Sequence, residues 1–144
     1  MNIRRAEKTD VASLAQIETL QPFSAGWGTA GWTHELENKA AQVWCAEEEG
    51  SVIGFVSVRA AAGLAEILNV AIAPAFCRCG KGFLLLTHVL EALKAQGVAE
   101  VTLEVNQRNK AALALYRKAG LCERGRREKF YHQTDDALIM GKEL

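Results

Sequence analysis

Residues 75–86 read Ala-Phe-Cys-Arg-Cys-Gly-Lys-Gly-Phe-Leu-Leu-Leu, and this stretch decides the fold. It follows an apolar segment typical of a strand and opens an amphipathic segment typical of a helix. Gly80 and Gly82 let the backbone approach a ligand without an intervening Cβ atom. The first turn of a helix also presents unpaired N–H groups and a partial positive charge, which favour an anion. The stretch therefore predicts a phosphate-binding loop, with Arg78 and Lys81 as nearby cations.

An ordinary turn is the alternative interpretation of this loop, because many strand-to-helix connections contain glycine. A nucleotide-binding loop of the Walker type is not favoured. Such a loop needs a lysine followed by serine or threonine, whereas this one ends in Gly82-Phe83.

Length and charge limit the class of protein. With 144 residues, the chain is expected to form one domain, spanning 1–144, that buries a substantial core. The 17 Lys and Arg residues balance 17 Asp and Glu residues, which argues against a direct nucleic-acid partner. No apolar run approaches the ~18 residues of a membrane span, and the N-terminus lacks the apolar core of a secretory signal. We therefore expect a cytoplasmic protein with no membrane partner.

The cysteines and histidines do not have the spacing of a metal site. The cysteines are Cys45, Cys77, Cys79 and Cys122, and only the middle two are close in sequence. We therefore predict reduced thiols and no metal. Cys79 lies between two basic residues near a helix N-terminus, a setting that lowers a thiol pKa. A small residue in a tight loop is the favoured interpretation, since no histidine lies nearby in the sequence to activate it.

Hydrophobic periodicity predicts the element order β-α-α-β-β-β-α-β-α-β-β, a mixed α/β sheet with helices on both faces. The predicted strands lie at 2–6, 43–47, 52–58, 64–73, 101–105, 122–130 and 137–142. Thr9 or Asp10 is expected to cap the first helix, and a short second helix is expected at 29–38. The third helix is expected to end before Gly97, and the fourth to run from Asn109 to about Ala119.

This order, with a glycine loop after the fourth strand, resembles the GNAT (Gcn5-related N-acetyltransferase) superfamily. The superfamily's loop reads Gln/Arg-x-x-Gly-x-Gly/Ala, and residues 77–82 match both glycine positions while Cys77 replaces the leading Gln or Arg. The resemblance implies a mostly antiparallel, twisted sheet that is splayed in the middle. It also implies acetyl-CoA as cosubstrate and direct attack by an amine in a ternary complex.

Further motifs resemble, within that superfamily, the RimI family of ribosomal-protein alanine N-acetyltransferases. They are Leu-Glu-Val at 103–105, Asn-Lys-Ala-Ala-Leu-Ala-Leu-Tyr at 109–116, Gly-Leu at 120–121, paired arginines at 126–127, Tyr131, and Asp-Ala-Leu-Ile-Met at 136–140. Leu121 stands where that family has Phe, and Gly-Trp-Gly at 26–28 replaces its Pro-Trp-Ser/Thr. The resemblance implies that the acceptor is the N-terminal alanine of small-subunit ribosomal protein eighteen.

Two residues are candidates for acid–base chemistry. Glu104 alternates with Leu103 and Val105, so its carboxylate takes the opposite face of the strand and can act as general base for an α-amine of pKa about 7.7–8.0. A solvated surface carboxylate is the alternative. Tyr116 can protonate the leaving thiolate as general acid. A core tyrosine is its alternative, and the resemblance favours the catalytic role for both residues.

The binding residues come from the same resemblance. The end of strand 67–72 can pair with the pantetheine arm as an added strand does. Acetyl-CoA contacts are implied at Val70, Ala71, Ile72, Arg78, Cys79, Gly80, Lys81, Gly82, Phe83 and Asn109. Trp27 and Tyr131 are candidates for the acceptor site, although aromatic residues near the first two helices are more often part of the core.

Two other functions remain open. One is an enzyme of the same fold that acetylates a small amine. The other is a regulatory module that binds CoA without catalysis, and the joint presence of Glu104 and Tyr116 argues against it.

Overall fold

The computed structural model describes residues 1–77, 79–131 and 134–144. It confirms the predicted element order. The strands are β1 Asn2–Arg5, β2 Ala41–Glu48, β3 Ser51–Ala61, β4 Leu64–Ile72, β5 Glu100–Asn106, β6 Cys122–Tyr131 and β7 Asp135–Glu143. The α-helices are α1 Val11–Thr19, α2 Gly28–Glu37, α3 Lys81–Ala95 and α4 Lys110–Lys118, with 3-10 turns at Lys8–Asp10 and Pro74–Phe76.

The seven strands form one sheet in the order β1-β2-β3-β4-β5-β7-β6. Every neighbouring pair is antiparallel except β4 and β5, which are parallel and are joined through α3. Helices α1 and α2 bury one face through a core centred on Leu14, Trp32 and Phe55. Helices α3 and α4 bury the other face in a larger core. The predicted mixed α/β sheet with helices on both faces is confirmed.

Most of the helices begin and end at the glycine and capping residues that the sequence predicts. Gly97 and Gly120 adopt φ values of 87° and 96° just after α3 and α4, a conformation that favours glycine. The Asn109 side chain accepts from Ala112 N at 3.3 Å and caps α4. The predicted cap on α1 is wrong for Asp10, because its carboxylate binds the Arg4 guanidinium and the Glu7 N–H instead.

The sheet splays between β4 and β5, as the resemblance implied. The two strands pair only from Leu64 opposite Glu100 to Ile67 opposite Leu103. Leu68 is an extra residue at this point, because Asn69 pairs with Ser57 of β3 while Ile67 pairs with the next residue, Val58. Such a bulge bends its strand, and here it leaves the end of β4 without a partner on the β5 side.

The bulge also changes which residues of β4 point to each face of the sheet: odd-numbered residues before and after it lie on opposite faces. Ala65 and Ile67 belong to the core under α3, whereas Ala71 belongs to the core under α1 and α2. Asn69 lies on that second face as well, where its amide binds Glu18 of α1. Within the described residues, no helix is long and apolar enough to cross a membrane.

Candidate active site

A cleft of about 240 Å³ opens where β4 and β5 separate. Its walls are the ends of these two strands, residues 22–25 of the α1–α2 loop, Asn109 and Tyr116 at α4, and Tyr131 at the end of β6. The structure therefore brings both predicted catalytic residues and Tyr131 to one opening in the sheet.

Glu104 lies on the wall formed by β5, and its side chain is part-exposed. Its neighbours Leu103 and Val105 are buried in the core under α3, so the carboxylate takes the opposite face, as predicted. Its Oε1 atom lies 3.1 Å from a guanidinium nitrogen of Arg127 on β6. The predicted general base is thus an ion-paired carboxylate at an open cleft, a contact the sequence did not indicate.

Tyr116 is almost fully buried on α4 yet lines the cleft, so it is both a core residue and a site residue. Burial raises the pKa of its hydroxyl, and the nearby Tyr131 adds to the effect. Burial and the Glu104 charge likewise raise the pKa of Tyr131, while Arg127 opposes the rise. Both phenols therefore stay protonated at neutral pH, the state a proton donor needs.

The unpaired edge of β4 offers backbone groups to the cleft, though not from all three predicted residues. Ala73 N donates to Ile53 O of β3, while Ile72 O accepts from Gln21 Nε2 away from β3. Because backbone groups alternate in direction along a strand, those of Val70 and Ile72 face the open edge. The Ala71 backbone faces β3 and its side chain lies in the core, so the open edge favours Val70 and Ile72 over Ala71, whose contact with acetyl-CoA stays a prediction.

The two glycines of the loop differ in backbone conformation and in surroundings. Gly80 has φ 80°, in the left-handed region, immediately before α3 begins. Gly82 lacks that conformation, and a Cβ there would meet Ile72 Cγ1 at 3.4 Å and Leu115 Cδ2 at 3.6 Å, which is ordinary contact. A Cβ at Gly82 would therefore point into the protein, so its absence there does not make room for a ligand.

Lys81 and Cys79 of the loop already have partners in the protein. Lys81 Nζ pairs with Glu48 of the β2–β3 hairpin and lies 4.8 Å from the centre of the Phe76 ring. Glu48 raises the pKa of the Lys81 ammonium through this bond. Cys79 Sγ donates to Phe76 O at 2.9 Å, consistent with a small residue in a tight loop. Arg78 lies outside the described residues.

A further cation stands beside the first turn of α3. Lys118, from the end of α4, places its Nζ atom 4.4 Å from the centre of the Phe83 ring. Phe83 itself packs against the core under α3. The sequence did not indicate Lys118, since its position near the loop depends on how α4 packs beside α3.

The structure places Trp27 away from the lining of the cleft, and its predicted role in the acceptor site stays a prediction. Its ring packs against Trp32, with the ring centres 4.7 Å apart, and it is not among the residues that line the cleft. Residues 22–25 of the same loop form that wall instead. Trp27 therefore anchors the loop rather than lining the cleft.

Glu18 of α1 holds this loop and is the main site feature the sequence did not reveal. Its buried carboxylate accepts from Trp27 N, Gly28 N, Trp32 Nε1 and Asn69 Nδ2, at 2.9–3.1 Å. It thereby joins the end of α1, the start of α2 and the splayed part of β4. The available signals were a charged residue four positions after Leu14 on an apolar helix face and an asparagine within an apolar strand.

Two observations concern metal binding and the thiols in the described part of the chain. No group of three or more His, Cys, Asp or Glu side chains there is arranged to hold a metal ion. Burial raises the pKa of the Cys45 thiol to about 11, which keeps it protonated at neutral pH. All four cysteines are free.

The fold and the cleft define a class of protein. A model of the acetyltransferase (GNAT) family matches residues 9–121, and the chain belongs to this family.

Particular relatives narrow the comparison. The ribosomal protein bS18-alanine N-acetyltransferase of Escherichia coli K12 is 36% identical over 96 residues, and the match spans 65% of this chain and only 65% of that protein's length. A Bacillus subtilis protein, provisionally named for the same activity, is 30% identical over 140 residues, or 96% of this chain and 92% of its own.

Solved structures agree in fold. The structure of the Escherichia coli ribosomal-protein-S18-alanine N-acetyltransferase superimposes with a TM-score of 0.88 at 27% identity, covering 99% of this chain and 92% of that chain. A ribosomal-protein-alanine N-acetyltransferase from Brucella melitensis gives a TM-score of 0.86 at 26% identity, with full coverage of both chains.

Proposed function

We propose that this protein transfers the acetyl group of acetyl-CoA to the N-terminal α-amine of a protein, with the N-terminal alanine of ribosomal protein bS18 as its substrate. The observation that carries the proposal is that Glu104 and Tyr116 face one cleft beside the unpaired edge of β4. Family membership makes acetyl-CoA the expected acetyl donor.

The residues at the cleft suit acetyl-CoA. Val70 and Ile72 offer backbone groups on an open strand edge, which an amide-bearing pantetheine arm can extend as an added strand. The first N–H groups of α3, after Gly80, suit the pyrophosphate, with Lys81 and Lys118 nearby. Bound there, acetyl-CoA supplies a thioester carbon for attack.

The residues of the chain then divide the proton transfers. The acceptor attacks the thioester carbon as a neutral amine, and Glu104 removes, directly or through one water, the proton that its nitrogen loses on forming the amide. The C–N bond forms first and gives a tetrahedral oxyanion, and the collapse of this oxyanion breaks the C–S bond. Tyr116 donates its proton to the departing thiolate, and solvent later reprotonates it. Backbone N–H groups of the β4 edge are placed to stabilise the developing oxyanion.

The ribosomal substrate is supported by the relatives, because two of them carry that activity in their names at 30% identity or more. The cleft is consistent with a peptide end, since it is open to solvent between the 22–25 loop and Tyr131.

A panel of acceptors tests the proposal. Purified protein and acetyl-CoA are incubated with a peptide copying the bS18 N-terminus, the same peptide with a blocked α-amine, and spermidine. Acetylation of the free peptide alone is expected, with the acetyl group located on the α-nitrogen by mass spectrometry. Turnover of spermidine alone would establish a small-amine enzyme, and CoA binding without any transfer would establish a regulatory module.

A further inference from the structure

Arg127 contacts the candidate base from a strand that is not adjacent to it. Glu104 is on β5 and Arg127 on β6, with β7 between them. Across β7, Ala137 is opposite both Asn106 of β5 and Arg127 of β6. Residues directly opposite share a face, so Arg127 projects from the same face as Glu104. On this face β7 presents Ala137 opposite Arg127 and Ile139 opposite Glu104, and the guanidinium reaches Glu104 Oε1 diagonally across this row, at 3.1 Å.

The neighbouring Arg126 takes the other face. It is opposite Leu138, which is opposite Val105, and both of these side chains are buried in the core under α3. Arg126 pairs with Asp136 at 2.8 Å and with Glu123 at 3.9 Å. The two adjacent arginines therefore have separate partners, and of the two it is Arg127 that contacts Glu104.

Aromatic rings and a strand irregularity support the position of Arg127. Its guanidinium carbon lies 5.4 Å from the centre of the Phe130 ring, which packs edge-on against Tyr131 with ring centres 5.0 Å apart. The register of β6 shifts between Arg127 and Tyr131, where a step of four residues along β6 matches a step of two along β7.

The charged and titratable groups around Glu104 come from β6, α4, β7 and the loop between β5 and α4. Arg127 and Tyr131 approach from β6 and Tyr116 from α4, while Asp135 at the start of β7 binds Asn106 and lies 3.6 Å from Arg108. Of these, Arg127 is the cation paired with Glu104, so the pair carries no net charge toward an incoming acceptor.

We propose that Arg127 is a specificity-determining residue that disfavours ammonium ions at Glu104, so that α-amines are acetylated in preference to lysine ε-amines. This inference rests on the proposed function. At neutral pH an α-amine, with a pKa near 7.7–8.0, is neutral roughly a tenth of the time, whereas a lysine amine, near 10.4, is neutral less than about a thousandth of the time. A fixed guanidinium beside the base increases the cost of binding either amine as its cation. The guanidinium therefore weakens the binding of a lysine ε-amine most, because that amine is almost always charged.

The test compares Arg127→Ala with Arg126→Ala, a matched loss of one arginine from the same strand. Each variant and the original protein are assayed with two peptides, one with a free α-amine and one with an acetylated N-terminus and a single lysine. In Arg127→Ala we expect the ratio of kcat/KM for α-amine over ε-amine to fall about tenfold. We also expect the rising limb of kcat against pH to move to higher pH, with a lower KM for the α-amine peptide at pH 7. Arg127→Lys, which keeps the charge, should restore most of the preference.

The outcomes separate the inference from the function it rests on. If the original protein acetylates no peptide α-amine, the proposed function fails. The role of Arg127 is disproved if the original protein does acetylate the α-amine but Arg127→Ala and Arg126→Ala behave alike. The two quantities compared are the ratio of kcat/KM for α-amine over ε-amine and the pH of the rising limb of kcat. A rise in kcat at pH 7 in Arg127→Ala would also disprove it, because Arg127 would then only weaken the base.

Discussion

At the scale of single residues, the site depends on where three side chains meet rather than on any one of them. Glu104 faces the cleft because it alternates with two buried neighbours on β5. Tyr116 reaches the same cleft from α4, with its hydroxyl pKa raised by burial. Arg127 arrives from across the sheet and pairs with Glu104. The proposed acid and the proposed base are thus held in different environments, one apolar and one ionic, which suits different proton-transfer roles.

Replacing Glu104 with glutamine tests the general base. The substitution keeps the shape but removes the proton acceptor, so we expect kcat/KM at pH 7 to fall at least about a hundredfold. The rising limb of the pH–rate profile should also change. The measurement is a full profile with the α-amine peptide, with Glu66→Gln, an exposed glutamate on β4, as control. An unchanged profile for Glu104→Gln would exclude it as the base.

At the scale of elements, a bulge and a buried carboxylate shape the cleft. The extra residue Leu68 ends the pairing of β4 with β5 and opens the strand edge. Glu18 then holds the α1–α2 loop against the splayed part of β4 through its bond to Asn69. The wall formed by residues 22–25 thus depends on contacts outside the cleft.

Replacing Glu18 with glutamine tests this positioning role. The amide group would face hydrogen-bond donors, so the loop should shift and kcat/KM for the acceptor peptide should fall by about tenfold or more. The KM for acetyl-CoA should change less. Glu35→Gln is the matched control, since Glu35 is also a buried glutamate but binds Arg59, away from the cleft. Equal effects of both variants on the acceptor would show that Glu18 acts only through stability.

The two loop glycines should respond differently to alanine. Gly80→Ala puts a Cβ on a residue with φ 80°, which costs about 1 kcal/mol and shifts the first N–H groups of α3. We therefore expect lower stability and a raised KM for acetyl-CoA. Gly82→Ala makes only ordinary contacts and should be nearly neutral in both. Thermal unfolding measures the stability of the two variants, and kinetics at varied acetyl-CoA concentration measure the KM. A larger effect of Gly82→Ala than of Gly80→Ala on both would contradict this account of the loop.

At the scale of the whole molecule, an ion-pair network joins the first strand to the rest of the sheet. Arg4 of β1 binds Asp10 at 2.8 Å and Glu47 of β2 at 3.0 Å. The Arg4 guanidinium, the largest influence, holds the pKa of the Asp10 carboxyl below its usual value, and the Glu7 N–H adds to this. Since the folded pKa is the lower one, this stabilisation is present above the unfolded pKa, about 3.9, and is lost as the pH falls below it.

Asp10→Asn should therefore lower the free energy of unfolding by about 2 kcal/mol at pH 7, because a buried charge-assisted contact is lost. The difference from the original protein should shrink as the pH falls below about 4. Urea unfolding at several pH values measures it, with the exposed Glu91→Gln of α3 as control. A difference that stays constant down to the lowest pH would show that Asp10 is not held ionised by Arg4.

The sequence by itself determined the order of elements, the helix ends at Gly97 and Gly120, and the outward face of Glu104. Each of these follows from local patterns: apolar periodicity, glycine conformation and strand alternation. Family motifs added the catalytic role of Tyr116 and acetyl-CoA as the ligand expected at the loop glycines.

Only the tertiary structure decided the direction of the Ala71 backbone, the core position of Trp27, the Glu18 network and the pairing of Arg127 with Glu104. These features depend on strand register and on packing between residues far apart in the chain. A single extra residue in β4 reverses its facing, and β7 lies between the two members of the ion pair. Local patterns along the chain do not reveal strand register or contacts between distant strands. Residues 75–86 therefore identify the fold, whereas the splay of β4 from β5 forms the site.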